Sequence, residues 1–461
     1  MSAEVRWWLT TADRTARLES QKAIEFGPRR NVQSTIEIDR SERYQSVEGF
    51  GASFTETASS LLQQKLNPDE RATLLRELVD PVDGIGLNFF RQPMGATDIA
   101  RDYYSYDDVP AGRTDFNLEK FSIDPDRANI LPTLKEVVRL APTATFLGTP
   151  WSPPAWMRTD QSMRGNSGGE LRPDAYNAYA RYFAAFIREY AAEGIKVRYV
   201  TVQNEPLYQP HYPGMLMPVE TAIRFVGGHL GPTLEADGVD TGILIHDHNW
   251  DHYEAALTQL ADPTVSRYIA GTAFHRYAGD ASAGTIVHNA SPDKGIFFTE
   301  GSTDVTISFS FIVGTVIIGS LRNWAKCIVL WNLVADEANG PYMRPGGCAI
   351  CRPITTLDTR TGTWTHNDDY FALGHVSKFV RPGAVRIGST QNEYSTLPNV
   401  AFENEDGSGV LLVLNQSTVS ETFEVAADGR HFVAELPAGA CATYVWSAPV
   451  QSNEQSHEGN R

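Results

Sequence analysis

The chain has 461 residues, 42% hydrophobic and 21% charged, enough for one large domain and a small one and free of collagen-like or disordered bias. A formal charge of −17, with no basic stripe anywhere, excludes a nucleic-acid partner, because phosphate binding needs clustered Lys and Arg. The same balance disfavours polyanionic substrates and anionic lipid surfaces and favours a neutral ligand.

The N-terminus, M-S-A-E-V-R-W-W-L-T-T, has no basic n-region, apolar h-region or small-residue cleavage site. The expectation is a cytoplasmic protein as encoded, or a secreted one if a leader has been removed. Short alternating runs, V-R-W-W-L and S-T-I-E-I, read as strands before about residue 45. From Ser46 onward, β-rich runs alternate with helical ones, the mark of βα units and a parallel sheet. Eight runs qualify, starting near Ser46, Gly86, Ala144, Val197, Gly242, Gly271, Gly295 and Ala325. That number closes a (β/α)8 TIM barrel.

Two intervening helices are well marked. Asn67, Pro68 and Glu70 supply an N-cap, an N1 proline and a capping-box glutamate. Tyr176, Tyr179, Phe183, Phe186, Ile187 and Tyr190 recur at helical spacing as a core-facing stripe, with Gly194 as the stop. The apolar run Val305–Leu321 is slightly short for a membrane span and predicts a buried barrel helix, so no integral membrane segment is expected. Beyond about 375, V-L-L-V-L, E-T-F-E-V-A, H-F-V-A-E-L and A-T-Y-V-W are separated by turn signals without helices. They predict a β-sandwich to which both chain ends contribute. The predicted organisation is residues 1–45 as N-terminal sandwich strands, 46–374 as the barrel, 375–448 as the C-terminal sandwich and 449–461 as a disordered polar tail. Cys348 and Cys351 form a C-x-x-C without a second pair, which leaves ordinary thiols or a local loop staple rather than zinc.

Barrel enzymes place their chemistry at the C-terminal ends of the strands. Two strand ends carry a carboxylate there: Glu205 in V-Q-N-E-P on the fourth and Glu300 in F-F-T-E-G-S on the seventh. Side chains from those strands face each other across a barrel mouth. Glycoside hydrolysis requires such a pair, one carboxyl protonated to deliver a proton and one ionised to attack or activate water. Arg91, on an otherwise apolar strand, needs a buried partner, and a carboxylate nucleophile suits it. Trp151 and Trp331 offer rigid faces for a sugar, and His275 and Tyr277 can hydrogen-bond hydroxyls or the nucleophile. Each is equally at home in a packed core. The cluster His246, His248 and His252 has an incomplete ligand set for zinc, so no metal is expected.

With these residues in place the sequence resembles glycoside hydrolase family 30, the group of glucosylceramidases, β-1,6-glucanases and related β-glucosidases and xylosidases. The resemblance runs through G-F-G-A-S-F-T-E, R-Q-P-M-G-A-T-D, T-P-W-S-P-P-A-W-M-R, V-Q-N-E-P, F-T-E-G-S and W-N-L-V followed by G-G-C-A-I-C-R. It implies a barrel with a side β-sandwich, retention of configuration, no cofactor and a carbohydrate or glycolipid substrate. By the resemblance Glu205 is the acid/base and Glu300 the nucleophile. Arg91, Asp98, Trp151, Asn204, His275, Tyr277 and Trp331 then form the sugar pocket, with Asp98 on glucose hydroxyls and Asn204 on the 2-hydroxyl. Arg276 departs from the mammalian lysosomal members, which have an aromatic residue there, and the loop L-Y-Q-P-H-Y-P-G-M is similar to the bacterial and fungal glucanases. The expected activity is hydrolysis of β-1,6-glucan or of glucosylceramide-type β-glucosides. The alternatives are a β-xylosidase or transglycosylase on the same scaffold, or a non-catalytic carbohydrate-binding protein. No signature of a particular oligomeric state is present.

Overall fold

The structure, a computed structural model, describes residues 4–30, 32–390 and 395–448; the polar tail expected over 449–461 lies outside them. The chain forms two compact units, one spanning Gln45–Pro382 and the other made from the two chain ends. The helix Asp368–Ser377 lies in the first unit, so the second begins at Gly383 instead of the expected 375.

The first unit is a closed barrel of eight parallel strands. They are β1 (Gly49–Ser53), β2 (Phe89–Pro93), β3 (Thr145–Thr149), β4 (Val197–Thr201), β5 (Gly242–Asn249), β6 (Ile269–His275), β7 (Gly295–Glu300) and β8 (Ala325–Asn332). Neighbours in sequence are neighbours in the sheet, and β8 pairs with β1 to close it. Each strand is covered by side chains on both faces, which is why the runs are apolar without alternation. Phe89, Leu147, Tyr199, Leu244, Ala273, Phe297, Cys327 and Val329 fill the interior. Gly51 is required on β1, since a Cβ there would lie 1.9 Å from the Phe89 carbonyl oxygen.

The helices follow their sequence signals. Asn67 caps Pro68–Val79 with a complete capping box to Glu70. The aromatic stripe lies on Tyr176–Ala192, with Tyr176, Tyr179, Phe183, Phe186, Ile187 and Tyr190 all buried. Gly194 follows at φ +85°, the left-handed conformation that ends a helix. The apolar run beginning at Val305 becomes helical from Phe309 to Arg322 with wide turns through Ile312–Gly319. Its Ile312, Val313, Val316, Ile317 and Leu321 are buried, while Val305 precedes the helix and is exposed. Among the described residues no helix is long and apolar enough to cross a membrane.

The second unit is the β-sandwich. Its N-terminal strand Glu4–Thr10 pairs antiparallel with Cys441–Trp446, and Ser34–Ser46 pairs parallel with Glu421–Ala427. Its core is built by Val5, Ile36, Leu411, Val413, Phe423, Val425, Phe432, Tyr444 and Trp446.

Candidate active site

The C-terminal mouth of the barrel holds a cavity of about 390 Å³. Asp98, Trp151, Asn204, Glu205, Tyr277, Glu300 and Trp331 line it, joined by Tyr208, Tyr212, His248, Asn249, Gly346, Cys348 and Cys351. Seven of the nine sequence-predicted site residues thus face one space. The other two, Arg91 and His275, are fully buried and hold the carboxylates from behind.

Carboxylate oxygens of Glu205 and Glu300 and a ring nitrogen of His275 lie within 4.8 Å of one another. Glu300 accepts from Arg91 Nη1 and, at 2.7 Å, from the Tyr277 hydroxyl. The Tyr277 ring is partly exposed with its hydroxyl turned inward, where the Ser302 amide donates to it at 3.0 Å. Arg91 also donates from Nη2 to Asn204 Oδ1 at 2.7 Å and to Asp247 Oδ2 at 2.8 Å. Its guanidinium lies 4.7 Å from the Trp151 ring centre and 5.7 Å from that of Trp331. The two tryptophans stack at 5.0 Å with a 30° tilt.

Asp247 ties these groups together, although the sequence pattern does not mark it as a site residue. Oδ1 accepts from His275 Nε2 at 3.0 Å and from Thr299 at 2.8 Å. Oδ2 accepts from Arg91 and from Thr201, both at 2.8 Å. Burial opposes the charge, yet Arg91 and His275 hold this carboxyl far below the usual range. His275 Nδ1 faces Glu205 Oε1 at 3.3 Å and Glu300 Oε1 at 3.8 Å. Burial would lower the His275 pKa, but the Glu300 and Asp247 charges outweigh it and raise it to about 9. The ring is therefore an imidazolium with both N–H groups spoken for.

The remaining carboxyls shift the other way. Burial, with the Glu300 charge adding to it, raises Glu205. Burial, then the charges of Glu300 and Glu205, raise Asp98 to about 8. A carboxyl raised in this way can keep its proton at neutral pH, as a general acid must. The histidine cluster does something else. Burial lowers His246 to about 4 and His248 to about 3, so both are neutral, and His246 Nε2 contacts the Asn249 carbonyl at 3.0 Å.

Backbone irregularities aim these side chains. Strand pairing skips Asp247 between His246 and His248, Thr299 between Phe298 and Glu300, and Trp331 between Leu330 and Asn332. Such bulges re-aim residues beside active sites. Glu205 and Asp247 also take left-handed backbone angles, φ +44° and +49°, a strain that persists where the surroundings fix it. The Glu205 amide donates to the Asp247 carbonyl at 3.0 Å.

A parallel eight-stranded barrel with a buried carboxylate pair at its mouth defines a class, the glycoside hydrolases. Within that class the chain belongs to glycosyl hydrolase family 30: the family's TIM-barrel domain matches residues 47–380 and its beta sandwich domain residues 383–444. An endo-1,6-beta-D-glucanase of Neurospora crassa is 32% identical over 83% of this chain and 81% of its own length. A putative glucosylceramidase 1 of Caenorhabditis elegans is 28% identical over 88% of this chain and 82% of its own length. The solved endo-beta1,6-glucanase BT3312 superposes with a TM-score of 0.87 at 30% identity, covering 96% of this chain and 99% of that one. This chain is a retaining glycoside hydrolase of that family.

Proposed function

We propose that the protein cleaves β-1,6-linked glucan by double displacement, with Glu300 as nucleophile and Glu205 as general acid/base. The carrying observation is the carboxylate pair, one oxygen of each lying within 4.8 Å of the other, a close approach that suits the ~5–5.5 Å carboxyl separation of retaining enzymes better than the ~6.5–9.5 Å of inverting ones. Glu300 attacks the anomeric carbon while Glu205, protonated by virtue of its burial and the facing charge, passes its proton to the leaving oxygen. Ester formation then neutralises Glu300. Glu205 loses the charge that held its proton and becomes the base that activates water. Arg91 and Tyr277 keep the attacking carboxylate oriented, and Trp151, Trp331, Asp98 and Asn204 form the sugar subsite.

The named glucanase relatives, one of them a solved structure aligned over nearly the whole chain, support a β-1,6-glucan substrate. Glucosylceramide is the second reading, favoured by the glucosylceramidase relative. The test is parallel assay of β-1,6-glucan and glucosylceramide, with Glu300→Gln as blank and the anomer of the first product read by proton NMR. Oligosaccharides released first as the β-anomer are expected. Glucose from the lipid alone overturns the substrate, and an α-anomer overturns the mechanism.

A further inference from the structure

The Cys348–Cys351 disulfide lies in the wall of the catalytic cavity, where both sulfur-bearing residues line the space that holds Glu205 and Glu300. They pack with Ile99, Trp151 and Trp331, the aromatic floor of the sugar subsite. The segment that carries them, residues 337–354, contains no helix or strand. It is tied down at its two ends instead. On one side Met343 N–H donates to the Asp98 carbonyl at 2.7 Å, and Gly347 approaches so closely that a Cβ would lie 2.6 Å from that same oxygen. On the other, Arg352 N–H donates to the Thr303 carbonyl at 2.7 Å, three residues past Glu300, and its guanidinium pairs with Asp369 at 2.8 Å. The turn therefore bridges the loop of Asp98 and the loop of Glu300. Between those anchors the turn is held by the covalent link and by the Asn339 side-chain amide, which donates to the Ala349 carbonyl at 3.2 Å.

We infer that this disulfide is a positioning element of the sugar pocket, and that reducing it weakens substrate binding while the chemistry of the carboxylate pair survives. The inference rests on the glycosidase reading above. A dithiol supplies both electrons: one thiolate attacks a sulfur, the S–S bond breaks, and the reductant leaves as its cyclic disulfide with Cys348 and Cys351 as two thiols. Freed from each other, those side chains no longer fix the turn against Trp151 and Trp331, with which they pack. The carboxylates are held by Arg91, His275 and Tyr277, none of which belongs to the turn. Among the described residues the other two cysteines, Cys327 and Cys441, are free and buried, so the reductant has one target there.

The experiment compares oxidised protein, protein reduced with dithiothreitol and the Cys348→Ala/Cys351→Ala double variant, with free thiols counted in the native state. β-1,6-glucan hydrolysis gives KM and kcat, and near-ultraviolet circular dichroism follows the Trp151–Trp331 pair. Expected is a KM raised by about 3- to 10-fold with kcat within about 2-fold and an altered tryptophan band. An unchanged KM in the double variant or in protein shown to be reduced overturns the inference, as does a fall in kcat and melting temperature together with no KM effect. Oxidised protein that does not cleave the glucan sinks the substrate reading instead. The tryptophan band and binding of a glucose-configured iminosugar to the three forms then carry the test alone, and equal affinities overturn it.

Discussion

Asp247→Asn is the substitution that most directly tests the buried network, since it changes one charge and almost no volume. Asp247 accepts four hydrogen bonds, from Arg91, Thr201, His275 and Thr299, all between 2.8 and 3.0 Å. An asparagine keeps one acceptor oxygen and turns an NH2 against two donors, either Arg91 and Thr201 or His275 and Thr299. Removing one partner of a buried ion pair costs about 3–5 kcal/mol. Here Arg91 retains Glu300 and the shape is preserved, which points to the lower end, about 3 kcal/mol. His275 loses one of the three carboxylates that raise it, so its pKa falls and its hold on Glu205 weakens. Misplaced catalytic groups lower kcat/KM by about 100-fold. Urea denaturation and glucan hydrolysis measure the two effects, and histidine NMR locates the ring's charge. A variant within about 0.5 kcal/mol of wild type and within about 3-fold in kcat/KM would refute the role given to Asp247.

Stability should also depend on pH through His275. Its folded pKa of about 9 exceeds the free value of about 6.5, so the stabilisation is complete below about pH 6.5 and fades as pH rises through about 9. Urea midpoints taken from pH 6 to 9.5 should decline, and His275→Gln should flatten that slope. Asp98 is likewise raised, to about 8, above the free value of about 3.9, so the stability its protonated form contributes is complete below about pH 3.9 and is lost as pH rises to about 8. Asp98→Asn stays neutral and should stabilise the protein at pH 9 by more than about 1 kcal/mol, while KM rises at least about 10-fold because an NH2 that cannot accept replaces one of the two oxygens offered to the sugar hydroxyls. Away from the site, Asn67→Ala removes the cap that accepts from Asp69 and Glu70 at 3.0 Å. It should lower the urea midpoint by an amount worth about 1 kcal/mol and leave glucan hydrolysis untouched.

Much of this fold is legible in the amino-acid sequence, because its elements carry local signals. All eight barrel strands fall where short apolar runs sit between helical ones, and Asn67, Glu70 and Gly194 mark helix ends by their own chemistry. Glu205, Glu300 and Arg91 stand out because a charge at the end of an apolar strand needs a reason. Asp247 carries the same signal in H-D-H-N-W-D-H but is masked by its histidine neighbours, which look like metal ligands. What turns Asp247 inward is the bulge that separates it from His246 and His248 in the pairing. A bulge is a property of two strands together, absent from either sequence alone. The bulges at Thr299 and Trp331 are equally silent. Tyr208, Tyr212 and the Cys348–Cys351 turn reach the cavity from loops, whose course depends on tertiary packing and not on periodicity.

The network also explains why two acids of the same type divide the labour. The cavity floor buries two cations, Arg91 and His275, against the carboxyls of Asp247, Glu300, Glu205 and Asp98. Uncompensated charge in such surroundings is expensive, so the group settles near neutrality. Asp247 contacts both cations and Glu300 pairs with Arg91, while Glu205 meets His275 at 3.3 Å. Glu205 and Asp98 are nonetheless pushed upward, first by burial and then by the charge of Glu300. Glu205 is thus an acid because burial and the charge of Glu300 outweigh the pull of His275 and Arg91. A glycosyl ester on Glu300 removes one negative charge from that balance, and the excess positive charge then favours ionised Glu205. The switch from acid to base follows from charge conservation in a buried set of groups, without any movement of the backbone.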